Sequence, residues 1–403
     1  MPLTITLGAP ALARYPLDMQ RPSVVVAGSV AQSPFVGGHT WVFLHYLLGF
    51  RKLGWDVHFI DWLDPGMCVD ERGERAEFMC SANVRYLDDV MQRFDLADCW
   101  TLGYDGWREV AGVDRAEAMR HIRQSDLVLN VMGYLDADML GEAQCAVFLD
   151  IDPGFGQMWR ELGLHDLFAG HDRFVTVGQN VGRTDCAVPT CGLEWITTKP
   201  PVLLDLWDAT ALPGPAYTSV VTWRGPFAPI DYGGVRYGLR AHEMRRFVDV
   251  PRRTGCSFEV ALAIDPADDA DASRLLASGW QLVDPRHVAH DPVSYRSYIE
   301  RSRGELMIAK HMYVATNSGW FSDRSACYLA AGRPVVAQDT GLADHIPLGR
   351  GVIAFNDLDE AVDAVGAVER DWPDHSLAVR EIAREHFAAE VVLKALVDRL
   401  GVG

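Results

Sequence analysis

Asn317-Ser318-Gly319-Trp320-Phe321-Ser322-Asp323-Arg324-Ser325, continuing as Ala-Cys327-Tyr-Leu-Ala-Ala-Gly332-Arg333-Pro334-Val-Val-Ala-Gln338-Asp339-Thr340-Gly341, is the stretch that decides how this chain reads. It reads as loop, helix, loop, strand, loop. Small and hydroxyl residues open a segment in which Phe321, Cys327, Tyr328 and Leu329 recur at helical spacing. Gly332-Arg333-Pro334 stops that helix. Val335-Val336-Ala337 is a short buried strand, and Asp339-Thr340-Gly341 is the turn at its carboxyl end. A helix N-terminus exposes unpaired N–H groups and partial positive charge, which suits phosphate. Glycine permits close approach of a ligand to the backbone. Ligands of open parallel sheets sit at strand carboxyl ends. The same residues also fit an ordinary αβ unit in which Ser322 or Asp323 caps the helix.

Working outward, Ser23-Val-Val-Val-Ala-Gly28 is a buried strand. Gly37-Gly38-His39 leads into the amphipathic helix that starts at Trp41, and Val57-His-Phe-Ile-Asp61 is a second strand. That is a β-α-β unit with a glycine turn but no full G-x-G-x-x-G. Imidazole with a pKa near 6.5 takes a proton at neutral pH, so His39 is a candidate general base, or else a side chain packed at a helix start. Helix is expected from about Ala82 to Phe94. Strands are expected at 124–131, 146–150 and 174–178. Asp150-Ile-Asp152 after a buried strand could suit a hard divalent cation, but Asp-x-Asp is common and, followed by Pro153-Gly154, more simply ends a strand and starts a turn, so no metal is expected. Residues 1–22 read as an irregular arm. Prolines from 199 to 216 mark a linker.

The second half restarts with a strand at 217–223, with Arg224 at its carboxyl end. Strands follow at 258–264, at 280–283 ending on Val283, and at 351–355. A helix starts at Asn356-Asp357, and a last one runs from about Leu377 to Leu400. Lys310 lies just upstream of the opening stretch and is suited to neutralise phosphate.

The opening stretch resembles the donor-binding region of GT-B glycosyltransferases. Ser318-Gly319-Trp320-Phe321-Ser322 is similar to the Cys-Gly-Trp-Asn-Ser core of the plant secondary-metabolite enzymes, and Gly332-Arg333-Pro334…Gly341 to the helix end and strand of several GT-B families. Gly37-Gly38-His39 resembles the turn of the peptidoglycan N-acetylglucosaminyltransferase. The resemblance implies an α/β protein of GT-B type. Two Rossmann-like domains would face each other across a cleft, and the C-terminal helix would cross back to the first. The implied division is an acceptor domain over 1–205, rejoined by about 377–403, a linker at 206–216 and a donor domain at 217–376.

The implied activity is metal-independent transfer of a sugar from a nucleotide-diphosphate donor, UDP or dTDP, to a small-molecule or natural-product acceptor, as in bacterial secondary metabolism. No tightly bound cofactor is implied. His39 would be the base. Ser318, Gly319, Trp320, Ser322, Asp323, Arg324, Asp339, Thr340, Gly341, Lys310, Arg224 and Val283 would hold the donor, and Gly37, Gly38 and Asp152 would line the acceptor side. One departure stands out. The glutamate that holds the ribose in those families is replaced by Cys327, leaving Asp323 or Asp339 for that task. A nucleotide-sugar epimerase, a glycosyl phosphorylase and a non-catalytic sugar-nucleotide-binding protein share the fold and stay open as alternatives.

The 403 residues are too many for one ordinary core and suit two α/β domains. Lys plus Arg total 37 against 55 Asp plus Glu, a net charge of −18, which opposes a nucleic-acid partner and an anionic membrane surface. No run reaches the roughly twenty apolar residues of a membrane span. The N-terminus lacks the pattern of a signal peptide. Eight cysteines without a C-x-x-C pair fit buried thiols in a reducing compartment, so a cytoplasmic setting is expected.

Overall fold

The computed structural model describes residues 21–207 and 210–402. The arm expected over residues 1–22 falls largely outside them, as do positions 208 and 209 of the expected linker. The chain forms two compact units. The first runs to Ile151 and adds Leu167–Val175 and the chain end from Leu393; the second is Asp152–Asp166 and Thr176–Val392.

In the first unit the strands are β1 (Ser23–Ala27), β2 (Asp56–Leu63), β3 (Trp100–Tyr104), β4 (Glu109–Gly112), β5 (Leu127–Val131), β6 (Ala146–Asp150) and β7 (Arg173–Thr176). They lie in the order β4-β3-β2-β1-β5-β6-β7. The pairs from β3 through β2, β1 and β5 to β6 are parallel, and β4 turns back antiparallel on β3. Val24-Val25-Val26 and Leu127–Val131 are fully buried, as strands covered on both faces require. Helix Gly37–Lys52 follows β1, so the β-α-β reading holds and His39 sits in the first helical turn. Helix Ala82–Arg93 is also as expected, capped by Ser81. The aromatics Trp100, Tyr104 and Trp107 belong to the β3–β4 hairpin; Tyr104 stacks on Phe78, ring centres 4.6 Å apart.

The second unit holds β8 (Trp195–Thr197), β9 (Ala216–Thr222), the hairpin β10 (Ile230–Tyr232) and β11 (Val235–Tyr237), then β12 (Ser257–Ala263), β13 (Trp280–Val283), β14 (Gly304–Met307), β15 (Val335–Gln338) and β16 (Val352–Phe355). Its main sheet runs β13-β12-β9-β14-β15-β16, parallel throughout. Tyr217, Phe258, Val260, Trp280, Val336 and Phe355 anchor its core. Asp357 caps helix Leu358–Arg370 through Glu360 N–H, as the acidic turn implied.

The last helix is not continuous. Helix Trp372–Ile382 passes into a π-turn at Ala383–Phe387 and restarts at Ala389–Leu400. The cause is an inserted strand segment: Val202 N–H donates to Phe387 O (2.7 Å) and Ala389 N–H to Val202 O (2.9 Å). Helical periodicity continues across this break, so the pattern conceals it. Residues from Leu393 onward group with the first unit, which is the expected return of the chain end.

Candidate functional site

The carboxyl ends of β9, β14 and β15 lie side by side in the second unit. They deliver Trp223-Arg224, Ile308–Lys310 and Asp339–Gly341 to one edge, the place where open α/β sheets take ligands. The sheet opens there. β9 and β14 pair only at Tyr217–Gly304 and Thr218–Glu305. Beyond that point two buried guanidinium groups take carbonyls of the parted strands. Arg324 Nη1 donates to Val220 O (3.0 Å), and Arg240 donates to Ile308 O. Buried carbonyls need such partners. Arg324 also donates through Nε to Glu305 Oε1 at 2.5 Å. Arg324 Nη2 and Glu305 Oε2 have no hydrogen-bond partner among the described residues.

Arg240, Arg324 and Glu305 together carry one net positive charge beneath this edge. Burial, reinforced by the charge of Arg324, lowers the Arg240 pKa to about 10. Burial also opposes the Arg324 charge, but Glu305 beside it outweighs that and leaves its pKa above the usual value. Arg240 was missed in the sequence. Its only signal there was its place at a helix start after the glycine-rich run 231–238.

Lys310 is engaged by protein. Its Nζ lies 2.5 Å from Asp152 Oδ2, and Tyr313 donates its hydroxyl to the other carboxylate oxygen. The rings of Phe155, Phe227 and Tyr313 surround the ammonium with centres 5.2–5.4 Å away. Asp152, expected on the acceptor side, is thus a partner of Lys310 in the second unit. Arg224 is held in two-point contact by Asp268 (2.6 and 2.5 Å). That guanidinium holds the Asp268 carboxyl below its usual range. Val283 ends the edge strand β13, half-buried.

The opening stretch requires a correction. Its amides were expected to face a ligand, yet Gly319 N–H donates to Thr340 O (2.6 Å) and Trp320 N–H to Ser318 Oγ (3.3 Å). Ser318 Oγ donates to Tyr313 O, Thr340 Oγ1 to Trp320 O, and Ser322 Oγ accepts from Arg324 N–H as a helix cap. Asp339 Oδ1 accepts from Gly341 and Leu342 N–H, forming a tight turn. Ser318, Ser322 and Thr340 are buried, and Trp320 stacks on Tyr313 at 4.3 Å.

The glycines serve packing. A Cβ on Gly319 would lie 2.9 Å from Asn180 N, and one on Gly341 2.2 Å from Asn317 Oδ1; both residues have positive φ, +70° and +94°. Asn180 is the missed hub. Its amide group donates to Asn317 O (3.0 Å) and Gly341 O (3.1 Å), its backbone N–H donates to Ser318 O, and its Oδ1 accepts from His345 Nε2 (2.6 Å). Of the two residues offered for the ribose, Asp339 is spent on its turn, and burial raises the Asp323 carboxyl above its usual pKa. Cys327 is buried, and burial pushes its thiol far up.

In the first unit His39 follows Gly37 and Gly38. Its Nε2 is 2.9 Å from Ser29 Oγ, and its ring meets Phe43 edge-on at 5.1 Å. Burial lowers its pKa to about 4, so the ring is neutral at pH 7. Asp61 was read only as a strand residue. It is fully buried and accepts from Ala31 N–H (2.6 Å), Gln32 Nε2 (3.0 Å) and Trp62 N–H (2.7 Å). Burial raises its pKa to about 7 despite those bonds.

No protein-family model matches the chain, and no curated protein matches it in sequence. Among solved structures it is similar to an alpha-glucosyltransferase in complex with UDP. That match has 11% identity and a TM-score of 0.58, covering 95% of this chain and 100% of the other. It is similar also to Anabaena Alr3699/HepE in complex with UDP-glucose, with 10% identity, a TM-score of 0.56, and 94% and 99% covered. The fold is GT-B. The resemblance first drawn from the 317–341 stretch therefore extends over nearly the whole chain. A GT-B reading also accounts for the two parallel sheets and for the return of the chain end to the first unit. Among the described residues no helix is long and apolar enough to cross a membrane.

Proposed function

We propose that the chain is a glycosyltransferase that uses a nucleotide-diphosphate sugar, UDP or dTDP linked, bound at the carboxyl edge of β9, β14 and β15. The observation that carries this reading is the buried Arg240–Arg324–Glu305 cluster, one net positive charge at the edge where a GT-B sheet meets its ligand. A leaving diphosphate is stabilised by fixed positive charge in a water-poor setting. Lys310 and Arg224 lie on the same edge. Each would turn toward the diphosphate by exchanging its carboxylate partner.

The 317–341 loops supply the frame of the site, and Asn180 locks them. His39 is neutral and can accept the proton of an acceptor hydroxyl. Its lowered pKa makes it a weak base, so it takes that proton late, as the glycosidic bond forms. The acceptor in this reading is a small molecule or natural product. Alpha-glucosyltransferase structures with DNA exist, one of them with UDP-glucose and DNA containing an abasic site. A net charge of −18 opposes DNA here. The test is donor turnover: UDP- and dTDP-sugars are incubated with the protein, and release of free nucleotide is followed. Wild-type release that Arg240→Ala abolishes supports the reading; release unchanged by that variant overturns the placement of the donor.

A further inference from the structure

Among the described residues of the first unit, the exposed large apolar side chains are Phe35 (36%), Val36 (47%), Met67 (36%) and Met79 (57%). All four lie around the start of helix Ala82–Arg93, where the loops after β1 and β2 meet. Val36 is the residue before the helical turn that carries His39. The Phe35 ring meets Tyr86 edge-on at 5.4 Å, and the Tyr86 hydroxyl lies 2.8 Å from Oγ1 of Thr40, the neighbour of His39. Met79 sits in the turn Phe78–Cys80 that leads into the helix. Asn83 ties the two loops together: its Nδ2 donates to Ala31 O (2.8 Å) and to Met67 O (3.2 Å), and its Oδ1 accepts from Val69 N–H (2.9 Å). Asn83 is fully buried, so the frame under the patch is fixed.

Phe35 has a φ of +65°. A residue with a side chain takes that conformation at a cost, and such strain gathers at functional sites. Methionine side chains adapt to apolar partners of varied shape. The four exposed portions amount to roughly 300 Å², whereas a stable protein interface takes about 500 Å² or more from each side. The patch therefore suits a small molecule better than a second copy of the chain. Its rim is acidic. Residues 64–77 carry five carboxylates against two guanidinium groups, and Arg85 answers one more, Glu71. Such a rim disfavours an anionic occupant and favours a cation.

We propose that this patch is the subsite for the sugar acceptor, and that the acceptor is an apolar, ring-bearing alcohol, neutral or cationic, whose hydroxyl is presented to His39. Its ring lies against Phe35 and Val36, and the two methionines adjust to the part that follows. The acceptor role rests on the transferase reading; the binding of such a molecule does not.

The chain has 12 methionines, whose ¹³C-methyl NMR signals report binding without turnover. The Met67 and Met79 signals are assigned as those lost in Met67→Leu and Met79→Leu. The probes are 4-ethylphenol, which is neutral, tyramine, which is cationic, and 3-(4-hydroxyphenyl)propionate, which is anionic. 4-Ethylphenol is expected to move both signals saturably with a Kd of ~1 mM, weakened about fivefold or more in Phe35→Ala. Tyramine should bind at least about threefold more tightly than the propionate at low salt. No saturable movement, or equal affinity in wild type and Phe35→Ala, overturns the site. Equal binding of tyramine and the propionate overturns the charge preference. A dimer in sedimentation that Met79→Lys dissociates gives the patch to a second copy and overturns the proposal. With a UDP- or dTDP-sugar present, a glycoside of 4-ethylphenol is expected. Phe35→Ala should raise the KM for the phenol and leave that for the donor within about threefold. Donor turnover without any glycoside overturns the acceptor role. No donor turnover at all overturns the transferase reading and the acceptor role with it, while the binding site stands or falls on the methionine signals.

Discussion

Glu305→Gln is the most informative single change in the second unit. It keeps the shape and one hydrogen-bond acceptor for Arg324 Nε, and removes the anion that two buried guanidinium groups share. Glu305 is 0% exposed, Arg324 7% and Arg240 8%, so water cannot replace the lost charge. Breaking a buried pair on one side costs about 3–5 kcal/mol, whereas removing both partners costs far less. The amide retains part of the hydrogen bond, so the expected loss for Glu305→Gln is about 3 kcal/mol. The double variant Glu305→Gln/Arg324→Met should recover at least about half of it. Urea unfolding at pH 7 measures both, with an unchanged denaturant slope showing that stability alone has moved. A loss below about 1 kcal/mol for Glu305→Gln, or strictly additive costs in the double variant, would refute the idea that a shared charge holds the parted strands together.

Gly341→Ala places a methyl 2.2 Å from Asn317 Oδ1 at a φ of +94°, and should cost more than about 2 kcal/mol by the same unfolding assay. Asn180→Ala removes three side-chain hydrogen bonds from buried loops, an expected loss of about 2–4 kcal/mol. His39→Ala should abolish transfer and leave nucleotide affinity within about threefold. Because burial lowers the His39 pKa to about 4, wild-type activity should persist to about pH 5, and an acid limb centred near 6.5 would remove His39 from the scheme.

Asp61 predicts a stability slope of definite sign. Its folded pKa of about 7 lies above the unfolded value of 3.8, so its contribution is full below 3.8 and is lost as pH rises to 7. Asp61→Asn should remove that fall, about 2–3 kcal/mol between pH 5 and pH 8, in unfolding curves compared at those two values. The depressed pKa of His39 runs the other way, destabilising the fold as pH drops below 6.5. Burial lowers His45 and His58 to about 3 and adds to the same acid-side loss, so the Asp61 contribution is read as the difference between wild type and Asp61→Asn at each pH.

The GT-B architecture was legible because its signals are local. Apolar strand runs such as Val24–Val26, the Gly37-Gly38 turn and Gly332-Arg333-Pro334 each announce an element within a few residues. The site was less legible because its parts come from far apart. Lys310 meets Asp152 across 158 positions, and Asn180 meets Gly341 across 161. No periodicity encodes such pairs. Gly319 and Gly341 show the consequence. Their presence was read correctly as a sign of close approach, but the approaching groups are Asn180 and Asn317, where a ligand was expected. The break at Ala383–Phe387 was hidden for a similar reason, since its cause is Val202.

Calorimetric titration of UDP, and of dTDP in parallel, tests the central claim most directly. Saturable one-to-one binding of at least one nucleotide is expected in wild type, weakened by roughly tenfold or more in Arg240→Ala. No heat of binding from either nucleotide, or equal affinity in wild type and Arg240→Ala, would contradict a diphosphate seated over the Arg240–Arg324 pair.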